Sequence, residues 1–294
     1  MLTQALDSVL GQESVALEVI VVDEASSDDT TARLAQIDDR RMTVIRHETP
    51  RGPAAARNAA IARARGEWIA FLDDDDLWAP NKLDLQLSRA LLHENTLSYS
   101  GRVEIDEELS VGRLIRPSTS RPISRQLLLD NAINTPSSVL IHTGLLERVG
   151  LFDERFWGME DWDLWLRAVA GGASVGARPE TLLAYRRHDI RTSTDEAKMW
   201  GDFERLRDKH GSLADRAGVE FGAAWLADWR GARDIAEKRR LRPARRYLRT
   251  AVADRSAWNL VRAVSVLSGP SFQRLGRWMV ARATPRPEWL DRYV

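Results

Sequence analysis

The run Trp68-Ile69-Ala70-Phe71-Leu72 ends in four aspartates, Asp73 to Asp76, and this junction constrains the fold more than any other feature. Consecutive apolar residues of this kind make a strand buried on both faces, as in a sheet covered by helices. In α/β sheets the C-terminal strand ends open onto the crevice where ligands bind. Four adjacent carboxylates repel one another unless something positive sits among them. Hard oxygen donors suit Mg²⁺ or Mn²⁺, with a phosphate-bearing ligand completing the shell. An arbitrary acid run is more often a solvated turn. Its place after a buried strand reverses that preference.

The first 110 residues alternate short apolar runs with helical patterns, the signature of a parallel sheet with crossover helices. Leu2 to Leu10 reads as a helix with Leu2, Ala5, Leu6, Val9 and Leu10 on one face. Glu18 to Asp23 reads as a strand ending in an acid, with Ser27 a candidate cap for the next helix. Met42 to Arg46 is a further strand. Gly52-Pro53 opens a helix to Arg65, and Gly66 closes it. After the acid cluster come a helix from Pro80 to His93 and strands over 96–105, 112–115, 137–142 and 182–187. Gly158 leads into a helix with Trp162, Trp165 and Leu166 at helical spacing, where core packing is favoured over a sugar platform. From about Asp195 onward the pattern is helical.

Composition narrows the function classes. The chain has 294 residues and no cysteine, which excludes disulfides, thiolate metal sites and cysteine nucleophiles. No apolar run approaches the roughly 20 residues needed to span a bilayer. The formal net charge of zero hides an asymmetry: residues 222–294 carry 16 Lys and Arg against 6 Asp and Glu, and residues 1–221 carry 27 against 37. Such a split suits two regions with different partners, or two surfaces that dock on each other. Neither the G-x-G-x-x-G nor the G-x-x-x-x-G-K-[ST] phosphate cradle occurs. The acids that remain at strand or helix ends are Asp23, the 73–76 cluster and Glu160-Asp161. Bases that could meet phosphate are Arg57, Arg186, Arg187 and His188.

The ordered series formed by Val22-Asp23-Glu24-Ala25-Ser26-Ser27-Asp28-Asp29-Thr30, Gly52 with Ala56-Arg57-Asn58, Phe71 to Asp76, Leu151-Phe152-Asp153-Glu154, Glu160 to Trp165 and Tyr185-Arg186-Arg187-His188 resembles the family 2 glycosyltransferases of GT-A fold. The resemblance covers about residues 1–195. It implies a GT-A-type, Rossmann-like mixed α/β sheet flanked by helices, with residues 196–294 as a basic, Trp/Arg-rich helical extension. It also implies a nucleotide diphosphate sugar donor (UDP, GDP or dTDP), a glycan or lipid-linked acceptor and a divalent metal, Mn²⁺ or Mg²⁺. By resemblance Asp23 contacts the base or ribose, with Glu24 departing from the usual Asp-Asp pair. Arg57, Glu160 and Arg186 then belong to the nucleotide-sugar site, with Asp73 toward the ribose. Asp75 and His188 are the metal ligands. Asp161 is the catalytic base of an inverting transfer, kept ionised by the helix start on which it falls. Asp74 and Asp76 stand behind them or in solvent.

The same resemblance leaves one strand unaccounted for. The family begins with a buried strand, and this chain begins inside the helix that follows it. The expected vacancy is central, between the strand ending at Asp23 and the one ending at Leu72, where lost backbone partners are costly. The expectation is therefore further sequence upstream, or a truncated product of weakened activity. A non-catalytic nucleotide-sugar-binding or scaffolding protein is the alternative function. Nucleotidyl transfer leaves Glu160-Asp161 unexplained. In the extension, arginine interleaved with Trp200, Trp225, Trp229, Trp258 and Trp278 suits an anionic membrane surface, and core packing of the same tryptophans is the other reading. The resulting picture is a cytoplasmic protein, peripheral at the inner face of the membrane. Nucleic acid is not an expected partner, since no groove-reading motif is present.

Overall fold

The computed structural model describes residues 1–118, 120–187, 195–236 and 284–293. In chain order the elements are α1 (Leu2–Leu10), β1 (Val19–Asp23), α2 (Thr30–Ala35), β2 (Met42–Arg46), α3 (Pro53–Arg63), β3 (Trp68–Ala70), β4 (Leu77–Trp78) and α4 (Lys82–Leu92). Next come β5 (Leu97–Ile105), β6 (Val111–Ile115), α5 (Ile123–Leu129), β7 (Val139–His142), α6 (Thr143–Val149), α7 (Glu160–Ala170) and β8 (Val175–Arg186). The helices α8 (Glu196–Arg216) and α9 (Ala223–Ala236) follow, with a 3₁₀ turn at Glu288–Tyr293.

The sheet is mixed. β1 and β2 pair in parallel as a sheet of their own. The larger sheet runs β3-β7-β5-β8-β4, with β6 on β5. β5 is its axis: all nine residues are buried, and it pairs antiparallel with β6 and β7 but parallel with β8. The sequence reading starts this strand only at Leu182, whereas β8 begins at Val175. The structure carries the strand through Pro179 by a register shift, and Gly101 opposite leaves room for the displaced carbonyls: a Cβ there would meet Glu180 O at 3.0 Å. Ser27 does not cap α2, which starts at Thr30. The short helices α5 and α6 escaped the sequence reading, having too few turns for a period to show.

Where the sequence predicts an absent central strand, the structure has a slot. β1 and β3 each have one strand partner and turn their other edges toward the same cavity of about 850 Å³. Leu2, Ala5 and Leu6 of α1 and Ala60, Ile61 and Ala64 of α3 also line it. A two-stranded sheet is marginal in isolation. The amides of β1 and β2 are therefore expected to exchange with deuterium well before those of β5 and β8. Equal protection across the two sheets would show that the slot costs β1 nothing.

The main core lies between β5, β7 and α7, where Trp162 and Trp165 are 1% and 0% exposed. Trp162 stacks on Phe221, and its indole N–H donates to Leu127 O at 2.7 Å. Both tryptophans are core residues, as their spacing beside Leu166 predicted. Helices α8 and α9 extend this core: Phe203 is fully buried and stacks on Trp225 at 4.4 Å, and Trp200 packs against Trp225 and Trp229. These three tryptophans pack among themselves and against the main core. Trp258, Trp278 and the basic stretch from Arg242 to Leu267 lie outside the described residues. Among those described, no helix is long and apolar enough to cross a membrane.

Candidate active site

The C-terminal end of β3, the first turns of α3 and the start of α7 converge. α3 begins at Pro53 behind Gly52, whose φ of +92° is a backbone state that only glycine adopts freely. Glu24, which departs from the family's Asp-Asp pair, has a structural task here. Its carboxylate accepts from the N–H groups of Arg51 and Gly52, both at 2.6 Å, and pairs with His47. That contact aims α3 so that Arg57 enters the crevice.

Arg57 is the hub. Its Nη1 donates to Glu160 Oε1 at 2.6 Å and its Nη2 to Asp73 Oδ1 at 2.7 Å. The side chain is 16% exposed, against 7% for Glu160 and 32% for Asp73. Despite burial, these two carboxylates hold the guanidinium pKa above its ordinary value. One planar guanidinium thus bridges the acid cluster after β3 and the first residue of α7, giving one charge-assisted hydrogen bond to each. Residues 103 positions apart in sequence are brought within hydrogen-bond reach.

Asp161 stands beside this hub, 7% exposed. Its Oδ2 accepts from Asn131 Nδ2 at 3.0 Å, and its Oδ1 from the Trp162 N–H at 2.6 Å. The sequence reading has the helix start lowering its pKa. The structure reverses that: burial first, then the neighbouring Glu160, push it up to about 8, against the weaker pull of Asn131, Arg57 and the Trp162 amide. Glu160 is raised too, mainly by burial. A helix terminus offers a carboxylate less than about 1–2 kcal/mol. Burial of two adjacent acids outweighs it. Sequence reasoning missed Asn131, because the only cue was turn chemistry ahead of β7. Asn131 Oδ1 accepts from the Asn134 N–H at 3.0 Å, and Asn134 has φ +75°. Since the Asn131 bond favours the ionised form, Asn131→Ala is expected to raise the Asp161 midpoint above about 8 in a carboxyl ¹³C titration. A midpoint that stays put or falls would remove Asn131 from the site.

The other sequence-predicted residues divide. Asp23 is 4% exposed and accepts from the Ser26 N–H at 2.9 Å and Thr31 Oγ1 at 3.1 Å, and it pairs with Arg46. Asp75 is half-buried, and its backbone carbonyl accepts from Arg186 Nε at 2.8 Å. Arg186, which the resemblance assigns to the donor site, points its guanidinium inward. It is 1% exposed, and its guanidinium also donates to Asp106 O, Glu107 O and Gln4 Oε1, so it braces the Asp75 backbone from behind. Buried Asp76 accepts from the Arg186 N–H at 3.0 Å, and the more exposed Asp74 lies at the rim of the cavity. His188 lies outside the described residues. Among the described residues no three acids or histidines close into a metal cage. The donor set is still of the right chemistry, because Mg²⁺ is commonly held by one or two carboxylates with substrate phosphates supplying the rest.

A mixed sheet flanked by helices is the architecture of GT-A glycosyltransferases. The structure resembles that of S. aureus TarS 1–349 in complex with UDP-GlcNAc, with TM-score 0.59 and 20% identity, over 70% of this chain and 60% of that one. The model of glycosyl transferase family 2 matches residues 1–156, and the chain belongs to that family. Among curated relatives it is 33% identical over 165 residues to the Escherichia coli UDP-Glc:alpha-D-GlcNAc-diphosphoundecaprenol beta-1,3-glucosyltransferase WfgD, covering 56% of this chain and 63% of the relative. It is 33% identical over 195 residues to the succinoglycan biosynthesis protein ExoO of Rhizobium meliloti (strain 1021), covering 63% and 56%. The chain thus spans about three fifths of the length of these relatives.

Proposed function

We propose that the protein is an inverting glycosyltransferase, moving a sugar from a nucleotide diphosphate sugar to a glycan or lipid-linked acceptor in cell-surface polysaccharide synthesis. The observation that carries this is the Arg57 bridge between Asp73 and Glu160, which ties the acid cluster to the first turn of α7, where Asp161 follows Glu160. In the reaction the acceptor hydroxyl oxygen bonds to the anomeric carbon as the bond from that carbon to the diphosphate oxygen breaks. The hydroxyl proton passes to Asp161. A base is most effective when its pKa lies near the working pH, and an elevated Asp161 meets that condition. A divalent cation held by Asp75, with His188, would offset the charge growing on the leaving diphosphate. Arg57 orients Asp73 and Glu160 for the donor. TarS, captured with UDP-GlcNAc, and the UDP-glucose relative favour UDP over GDP or dTDP. The undecaprenol-linked acceptor of that relative suits a site at the inner face of the membrane.

A thermal-shift screen of UDP-, GDP- and dTDP-sugars with Mn²⁺, followed by turnover of the labelled donor, tests the reading. A UDP-sugar is expected to stabilise the protein and to be consumed with inversion. Stabilisation without turnover on any glycan or lipid-linked acceptor would favour a non-catalytic donor-binding protein. No stabilisation and no turnover with any donor would overturn the proposal.

A further inference from the structure

The loop from Arg155 to Met159 leads into α7, yet its backbone is tied to α8. Asp202 Oδ2 accepts from the N–H groups of Trp157 and Gly158, both at 2.8 Å. Its Oδ1 accepts from Arg205 Nη1 at 3.0 Å, and that nitrogen also donates to Arg155 O at 2.8 Å. Asp202 is 3% exposed. Hydrogen bonds from two backbone amides to a buried carboxylate are of the strong, charge-assisted kind. The two pinned peptides lie just ahead of Glu160 and Asp161 in the chain. The Trp157 ring also covers Gly52, where an added Cβ would lie 3.6 Å away. Gly52 precedes the helix that carries Arg57. A single carboxylate therefore pins the middle of the loop that leads into α7 and touches the start of α3.

Asp202 is not needed to hold α8 in place. Phe203 and Leu206, both fully buried, pack that helix into the core. His210 and Lys209 bind Asp163 of α7, each at 2.8 Å. Phe156 and Met159, each 3% exposed, anchor the two sides of the loop in the core, and what that packing leaves to Asp202 is the Trp157–Gly158 backbone between them. Residue 202 also falls beyond the stretch matched by the family model.

We propose that Asp202 is a positioning residue: from α8 it holds the Trp157–Gly158 backbone so that Glu160 meets Arg57 and Asp161 meets Asn131. The inference rests on the assignment of Asp161 made above. With the clamp removed, the loop gains freedom, water reaches the first turn of α7, and Asp161 loses the burial that elevates it among Glu160, Arg57 and Asn131.

The test compares Asp202→Ala and Asp202→Glu with Leu206→Ala, which loosens α8 without touching the clamp. Asp202→Ala is expected to lower kcat by about 10–100-fold, the scale on which misplaced catalytic groups lose rate, and to raise donor KM as well, because Glu160 shifts together with Asp161. Asp202→Glu recovers part of the loss. A ¹³C titration of the Asp161 carboxyl moves toward the ordinary carboxylate range in Asp202→Ala and stays put in Leu206→Ala. If Asp161 titrates alike in Asp202→Ala and the unaltered protein, the proposal is overturned. It is overturned equally if Leu206→Ala loses as much turnover at equal loss of stability. The titration needs no substrate, so failure of the transferase reading would appear separately, as an unaltered protein that turns over no donor.

Discussion

Asp161→Asn is expected to cost turnover about 10²–10⁴-fold, the usual contribution of a positioned general base, while making the protein more stable at alkaline pH. The two effects share a cause. In the unfolded chain an aspartate ionises near 3.9, whereas in the fold Asp161 is pushed up to about 8. Between these values the native state holds a proton that the unfolded state has released. Stability therefore falls as pH rises, by about 1.4 kcal/mol per unit over that window. Below pH 4 both states are protonated and nothing is lost; above 8 both are ionised and the full penalty is present. Asparagine escapes it. Paired melting curves for the two proteins should coincide near pH 4, separate up to about pH 8 and keep that gap at higher pH, with the variant higher. Donor affinity should stay within about 2-fold, since no donor contact is ascribed to Asp161. A variant that is less stable at pH 9, or one that retains turnover, would contradict the assignment.

The second large effect is expected at Arg57. Replacing it with methionine keeps the stem and removes the guanidinium, leaving Glu160 and Asp73 facing each other without a cation. Breaking a buried ion pair by deleting one partner typically costs about 3–5 kcal/mol, which urea unfolding at pH 7 would read directly. Arg57→Lys keeps the charge but loses the two-pronged geometry, and an intermediate loss is expected. Adding Glu160→Gln to Arg57→Met should restore part of the stability, because the stranded carboxylate is then neutral. A loss under about 1 kcal/mol for Arg57→Met would match an exposed, solvent-screened pair. The acid cluster and α7 would then not be locked together.

Much of the fold was legible because buried strands and their acidic ends are local patterns. Val19–Asp23, Met42–Arg46 and Trp68–Ala70 fall where apolar runs placed them, and α3 starts at the Gly-Pro signal. Strand order was less accessible. β5 reads like any apolar strand, and nothing along the chain says that it lies between β7 and β8 with opposite senses. The two short helices gave too few turns to reveal a period.

The sequence by itself determined the chemistry on offer: the motif series of family 2, hard carboxylates closing a buried strand, an Asp at the start of a helix, and a chain without cysteine. Tertiary structure alone decided which of those groups act together and in what protonation state. Arg57 meets residues far away in the chain, Arg186 turns inward to brace a backbone, and Asp161 is raised where its local position suggested lowering. The physical reason is that propensity and capping act between near neighbours. Burial and charge pairing depend on what the fold stacks around a residue, and here they outweigh the helix terminus.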